Sequence, residues 1–439
     1  MAQNLQLKVG MSKRDLKPAV GIPLAGYGSA LRRLKPIDWK RKIPHSFFFK
    51  PSEGVRDPIF SKVMIIDDGI SSVIFISMDM IGVTQRFVKS MSKKLAKHGF
   101  TKDQIFITGT HTHSGSGTLS KVLPLNLVAS DLFVRKNYKY IVEQTYQSVL
   151  EALDNMEPAE LYSSSFMAND IQENKFRRKG EKWFNRKASF LLAKSTLTGY
   201  WLGGMMNFAM HGNAMHVEDM RYSGDIPGAL ARVVEENLAA QNKILIPNVP
   251  ILFMNGAEGD VKHKGQRGEE IMEEVANQFA EQAKSALEVE NMMKVEPVLS
   301  YSRKMISMGT PAYPLKVCAK RDGWYRNWMK IIPSKTVKIP LFPFFPVMTY
   351  LSAVRIGHIA MMTWPGEAST SLGYKLQGMA LSEGFQESWV LGLTNDYLTY
   401  FTTKEEFFEA HYDSCSSMYG WRAGDYIIKG QKKLLKLIK

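Results

Sequence analysis

Two periods of apolar residues alternate along the chain. Over residues 62–79, β-branched apolar runs flank Asp67-Asp68-Gly69, a pattern that predicts two strands joined by a hairpin turn. Thr84 can cap a helix reaching to about Gly99, with Val88, Met91, Leu95 and Ala96 at helical spacing, and the apolar run Gln104–Thr108 follows. This reads as a strand–helix–strand unit. Helical spacing returns over 133–154, 225–241 and 268–288, the last rich in Glu, Gln and Ala. Helices alternating with short apolar strands predict an α/β fold, with a mixed β-sheet core flanked by helices.

Five apolar runs end in short polar clusters, each at the carboxyl side of a predicted strand. Gln104–Thr108 leads into Gly-Thr-His111-Thr-His113-Ser-Gly, and Gly203–Met210 into His211-Gly-Asn-Ala-Met-His216. Ile251–Met254 leads into Asn255-Gly-Ala-Glu-Gly-Asp260, Ile356–Thr363 into Trp-Pro-Gly-Glu367, and Val390–Leu393 into Thr394-Asn-Asp-Tyr397. Ligands of open α/β sheets sit outside the carboxyl ends of the strands, so these clusters predict one crevice. His111 and His113 are two residues apart, and in extended backbone both project to the same side. A lone His-x-His is a weak metal signal, because a buried histidine is commonly just a hydrogen-bonded core residue. His211 and Glu367 change its weight: two imidazoles and a carboxylate with an open position form a catalytic zinc shell, able to activate water and polarise a carbonyl. The prediction is a zinc site at the carboxyl ends of the strands.

With 439 residues, the chain can bury a large core, and its 57 Lys and Arg against 42 Asp and Glu give a net charge of +15. That favours anionic partners, yet no nucleic-acid-reading motif is present, so nucleic acid is not expected. Cys318 and Cys415 lie far apart, which implies no disulfide framework and points to a reducing compartment. The first residues lack a basic segment followed by an apolar one, and no apolar stretch is long enough to span a bilayer, so a cytoplasmic or peripheral location is expected.

Taken in order, the motifs resemble the neutral/alkaline, non-lysosomal ceramidase family. They are Leu24-Ala-Gly-Tyr-Gly28, Ser77-Met-Asp-Met-Ile-Gly82, Gly109-Thr-His-Thr-His-Ser-Gly115, Met210-His-Gly212, Ser223-Gly-Asp-Ile-Pro-Gly228 and Asn255-Gly-Ala-Glu-Gly-Asp-Val261. Pro365-Gly-Glu367 and Tyr397-Leu-Thr-Tyr400-Phe-Thr-Thr-Lys-Glu-Glu406, then His411-Tyr412, complete the set. The resemblance spans nearly the whole chain and implies a single catalytic domain over residues 1–439, cleaving the N-acyl bond of ceramide with Zn2+. By motif, His111, His211, Glu367 and Tyr400 would bind the metal. His113 would sit beside it, Tyr412 would approach the oxyanion, and Arg177 would be the substrate-side arginine. Residue chemistry alone would instead make Tyr400 a hydrogen-bond donor.

Two features depart from the family pattern. Lys262-His263-Lys264 stands where family members commonly carry Ser-Pro or Asn-Pro, which weakens any mechanism that needs a serine there. The chain also stops soon after the tyrosine block, so the resemblance implies a member lacking the C-terminal β-sandwich domain. Docking to a lipid substrate would then fall to two aromatic and basic insertions. Residues 31–60 carry Arg32, Arg33, Lys35, Lys40, Arg41, Lys42 and Phe47-Phe48-Phe49, and residues 323–347 carry Trp324, Tyr325, Trp328 and Leu341-Phe342-Pro343-Phe344-Phe345-Pro346. Such segments suit peripheral contact with an anionic membrane, as does the Lys-rich end from Tyr426 to Lys439; ordinary packing of the aromatics is the competing reading. Other readings are hydrolysis of another N-acyl lipid, an N-acyl amino acid or a peptide, and a non-catalytic lipid-binding protein.

Overall fold

The computed structural model describes residues 6–176, 184–243, 249–315, 317–318 and 339–439. Its principal strands are β1 (Lys8–Asp15), β2 (Phe60–Asp67), β3 (Ser72–Met78), β4 (Ile105–Gly109), β5 (Glu157–Met167), β6 (Lys187–Ser195), β7 (Trp201–Phe208) and β8 (Ile251–Asn255). With Met293–Val295 added beside β5, they form a nine-stranded mixed sheet in the order β8-β7-β6-β5-β1-β2-β3-β4. A second sheet runs β9 (Leu299–Ser307), β10 (Met348–Ile356), β11 (Ile359–Thr363) and β12 (Glu387–Leu391) in chain order. Pairs β3/β4, β7/β8 and β11/β12 are parallel, each bridged by a crossover, while the other principal pairs are antiparallel.

The predicted hairpin and strand–helix–strand unit are present: β2 and β3 flank the Asp67-Asp68-Gly69 turn, and β3, α1 (Gln85–Leu95) and β4 follow in turn. The predicted helices correspond to α2 (Arg135–Asp154), α3 (Asp225–Gln241) and α4 (Glu269–Ala283). The sheets run as near-continuous apolar strands because both faces are buried. On β3, Ile74, Ile76 and Met78 face α1 and α2, whereas Val73 and Phe75 face the second sheet together with Met361, Trp389 and Leu391. Phe190, Met206, Phe208 and Phe253 pack beneath α3 and α4. The outer face of the second sheet buries Leu351, Ala360 and Met362 against α5 (Thr370–Ser382) and α6 (Ala423–Leu435). The result is four layers, helix–sheet–sheet–helix, a mixed β core flanked by helices as the pattern predicted.

The large sheet curls until its two edges meet. Ser77 Oγ on β3 donates to Phe253 O on β8 at 2.7 Å, and Asn255 Nδ2 donates to Thr110 O at 3.0 Å. Asn207 Nδ2 on β7 reaches Val390 O on β12 at 2.8 Å and locks the second sheet on. All five strand ends singled out by the sequence therefore converge.

Two expectations change. Cys318 and Cys415 are joined by a disulfide across 97 residues, with Cα atoms 4.9 Å apart, so widely spaced cysteines did not mean unpaired ones. Segment 31–60 is not a uniform basic surface. Arg32 is 1% exposed, and its guanidinium donates to Val217 O at 2.8 Å, His113 O at 2.7 Å and Asp219 O at 3.0 Å. Phe49 and Phe345 are buried, while Trp39, Phe342 and Phe344 are exposed. Trp324, Tyr325 and Trp328 lie outside the described residues. In α6 the apolar face, including Ile427, Leu434 and Leu435, packs into the core, as in an ordinary amphipathic end helix.

Candidate active site

Backbone strain and bridging loops set the histidines in place. His111 adopts φ 71°, a left-handed conformation costing a non-glycine residue about 1–3 kcal/mol, and its surroundings hold it there. Its amide donates to Met80 O at 3.0 Å, and Nδ1 lies 2.7 Å from Ile81 O. A donating Nδ1–H fixes the tautomer and turns the Nε2 lone pair toward the crevice, the arrangement that orients metal-binding imidazoles. Next door, Thr112 bridges Gly212 and the His113 amide donates to Gly212 O at 2.7 Å, which fastens the His-x-His turn to the loop carrying His211. Asp225 braces that loop, accepting from Ala214 N at 3.0 Å and Met215 N at 3.2 Å.

Glu367 and Tyr400 come from opposite ends of a long connection and meet as register partners in a two-stranded parallel ribbon. Gly366 makes this possible: at φ 150°, its would-be Cβ lies 2.3 Å from Thr399 O, so no other residue fits without moving the ribbon. Glu367 Oε2 lies 3.2 Å from His111 Nε2 and 3.9 Å from His211 Nδ1, and Tyr397 OH donates to Oε1 at 2.8 Å. The ring centres of His111 and His211 are 4.3 Å apart, and His113 lies 5.1 and 5.0 Å from them. Tyr412 stands 5.5 Å from the Tyr400 ring and is half exposed at the mouth. Thus His111, His113, His211, Glu367, Tyr400 and Tyr412 share one site; Arg177 lies outside the described residues.

Three residues overlooked in the sequence also belong here. Lys175, two places before Arg177, follows the short strand Gln172–Asn174, paired with Val261–His263. Its Nζ lies 2.8 and 2.9 Å from the two ring nitrogens of His211, so the ammonium rests against the ring. Tyr397 supplies the hydroxyl on Glu367, and Glu258 follows β8 into the same region. Each sits in a strand-end cluster or beside a quoted motif, which was the available signal.

Burial dominates the electrostatics. It pushes the His211 and His113 imidazoles well below the ordinary range, helped by neighbouring positive charge, so both are neutral near pH 7. Lys175 is brought down to about 8 by burial, against the opposing pull of Glu367 and Glu258. Burial also pushes Glu367 up, but His111, Lys175 and Tyr400 together hold it below the ordinary carboxylate range. Tyr397 and Tyr400 are raised well above the usual phenol range by burial and then by Glu367, so each is a neutral donor.

Buried polar atoms without a hydrogen-bond partner are rare, and among the described residues they cluster here: both ring nitrogens of His113, and His111 Nε2 and Glu367 Oε2, which face each other at 3.2 Å. One ligand atom each from His111, His113 and His211 falls within 4.8 Å of the others, as does one each from His111, Glu258 and Glu367. Converging orphaned nitrogens and carboxylate oxygens fit a metal ion of the zinc type. Above them opens a cavity of about 580 Å³, walled by Met80, Val83, Phe87, Leu119, Leu125 and Val128. Its polar floor and apolar wall suit a ligand with one reactive polar group and a long apolar part.

Fold and site together define a four-layer α/β protein with an imidazole–carboxylate centre beneath an apolar cavity. The chain belongs to the neutral/alkaline non-lysosomal ceramidase family: the model of that family's N-terminal region matches residues 48–274 and 329–428. It is 25% identical over 246 residues to a neutral ceramidase of Oryza sativa subsp. japonica, covering 52% of this chain and 28% of that protein. Neutral ceramidase 2 of Arabidopsis thaliana is 25% identical over 261 residues, covering 55% of this chain and 32% of that one. The matched region thus spans about a third or less of these relatives. In fold the chain is similar to neutral ceramidase from Pseudomonas aeruginosa, with TM-score 0.80 and 16% identity, over 99% of this chain and 74% of that one. A ceramidase structure complexed with C2 superposes with TM-score 0.81 at 16% identity, over 98% of this chain and 75% of that one.

Proposed function

We propose that this chain is one zinc-dependent amidase domain that hydrolyses the N-acyl bond of ceramide or a ceramide-like lipid, releasing a fatty acid and a sphingoid base. The observation that carries the reading is the set of orphaned imidazole and carboxylate atoms on the floor of an apolar-walled cavity, in a member of the ceramidase family. In this reading His111, His211 and Glu367 would hold the zinc ion, with Tyr400, beside Glu367, as the fourth group. When bound, the metal supplies Lewis acidity, lowering the pKa of a water and polarising the amide carbonyl.

The chain's own residues do the rest. The cavity wall holds the acyl chain and excludes bulk water. His113 is kept neutral by burial, and its ring nitrogens have no hydrogen-bond partner among the described residues, so it can take a proton from water and hand it to the leaving nitrogen. Hydroxyl adds to the carbonyl carbon, the C–N bond breaks, and the amine leaves with the proton. Tyr412 at the mouth and the Lys175 ammonium are donors for the oxygen that gains negative charge. Lys262, ion-paired with Glu173, and His263 occupy the wall where the family pattern carries Ser-Pro or Asn-Pro, so these positions offer no hydroxyl nucleophile.

Exposed Trp39, Leu127, Val128, Phe342 and Phe344, with Lys35, Lys40 and Lys42, support peripheral contact of the cavity rim with an anionic bilayer. Arg33 ties the two rim segments together, its Nη2 donating to Leu127 O at 2.8 Å. Among the described residues, no helix is long and apolar enough to cross a membrane. The test is hydrolysis of a short-chain ceramide beside N-acyl amino acids and peptides. Ceramide turnover that chelation abolishes and Zn2+ restores is expected; preference for another amide would reassign the substrate, and no turnover of any would leave a lipid-binding protein.

A further inference from the structure

Glu258 is an acidic group at the strand-end crevice that the reaction above leaves idle. It is completely buried, and neither carboxylate oxygen has a hydrogen-bond partner among the described residues. A buried carboxylate in that state must be neutralised by a proton or matched by a cation, because desolvating an unpaired charge is prohibitive. Its position is built in by the backbone. The Gly259 amide donates to Ala368 O at 2.8 Å, and a Cβ on Gly259 would lie 2.8 Å from that same oxygen, so the Glu258 turn presses directly on the Glu367–Ala368 strand. On the other side, a Cβ on Gly392 would come within 3.0 Å of Glu258 Oε2. Glycines on both sides leave room for the carboxylate beside Glu367 and nowhere better.

One oxygen of Glu258, one of Glu367 and a ring nitrogen of His111 lie within 4.8 Å of one another. Two ligands at about 2.1 Å from a shared ion can stand up to about 4.2 Å apart, so small side-chain adjustments close the set. Glu367 lines the cavity and Glu258 does not, which places Glu258 behind the centre, away from a substrate and poorly sited to exchange protons with one. The charged neighbour Lys175 acts on Glu258 across space, its Nζ lying against His211 and 3.3 Å from Gly259 O rather than hydrogen-bonded to a Glu258 oxygen.

We propose that Glu258 is a further metal ligand, joining His111, His211, Glu367 and Tyr400, so that the shell holds two imidazoles and two carboxylates beside the phenol oxygen. The inference rests on the metal reading of the site. A second carboxylate adds negative charge and a hard oxygen donor, which strengthens retention of a divalent ion and broadens tolerance toward Mn2+.

The test is Zn2+ affinity by chelator competition, and the visible spectrum of the Co2+-loaded protein, for wild type and Glu258→Gln. The substitution keeps volume and removes charge. Expected are a loss of affinity of about 10–100-fold or more and an altered Co2+ spectrum. Unchanged affinity and spectrum would overturn the inference while leaving the metal reading intact. Should Glu258→Gln fail to fold, anomalous diffraction from zinc-loaded wild-type crystals decides: a Glu258 oxygen at about 2.0–2.2 Å from the ion supports the inference, and its absence overturns it. A wild-type protein that takes up no metal overturns the metal reading and this inference together.

Discussion

Replacing Arg32 by alanine separates a structural guanidinium from a membrane-facing one. In the structure the side chain is buried and holds three carbonyls, of Val217, His113 and Asp219, at 2.8, 2.7 and 3.0 Å, with the guanidinium 4.6 Å from the Tyr27 ring centre. A hydrogen bond from a charged group contributes about 1.5–3 kcal/mol, so three amount to roughly 4.5–9 kcal/mol before relaxation. Water entering the vacated space satisfies part of this, leaving an expected loss of about 3–5 kcal/mol, a large share of the about 5–15 kcal/mol that holds a typical domain together. Urea unfolding of Arg32→Ala beside the exposed control Lys40→Ala measures it, the control shifting by no more than about 0.5 kcal/mol. Because the His113 carbonyl loses its anchor, turnover should fall by about 100-fold, as for an angstrom-scale displacement of a catalytic group. An Arg32→Ala protein as stable and as active as the control would refute this role and return Arg32 to the basic surface.

Asp79 is fully buried, and burial raises its carboxyl from 3.8 to about 6, with Phe60 N donating to it at 2.8 Å. Its protonated form is the one the fold prefers, so its contribution is complete below about pH 4 and is lost as pH rises through 6. Asp79→Asn should therefore be more stable than wild type at pH 8, by up to roughly 3 kcal/mol, with the gap closing at pH 4 in paired denaturation curves. Reduction, or Cys318→Ser, should cost up to about 4–5 kcal/mol of stability by freeing a loop of this length. Turnover should fall too, because Cys415 ends the short helix that begins at Tyr412; thermal melts and assays with and without reductant check both. Phe342→Ser/Phe344→Ser should weaken binding to anionic vesicles, and salt should do the same, while hydrolysis of a short soluble amide stays unchanged. Phe345 is left intact because it is core.

What the sequence made legible follows from periodicity. The runs ending before His111, His211, Glu258, Glu367 and Tyr397 are apolar on both faces and then abruptly polar, so strand ends and crevice could be read without coordinates. Whether those runs lie in one sheet or two was not legible, since a strand buried on both faces reads the same in either. Glu258 and Lys175 carry no spacing that distinguishes them from solvated charges; only burial and direction do. Arg32 was misread for the same reason, as charge in sequence does not reveal three converging carbonyls. The Cys318–Cys415 bond escaped notice because loop length says nothing about Cα separation in the fold.

The most direct test is metal analysis of purified wild-type, His211→Ala and Glu367→Ala proteins, paired with ceramide hydrolysis. About one zinc per wild-type chain is expected, with zinc and activity lost together in both variants as the imidazole–carboxylate shell opens. A wild-type preparation that is free of metal and fully active would contradict the metal-dependent reading outright.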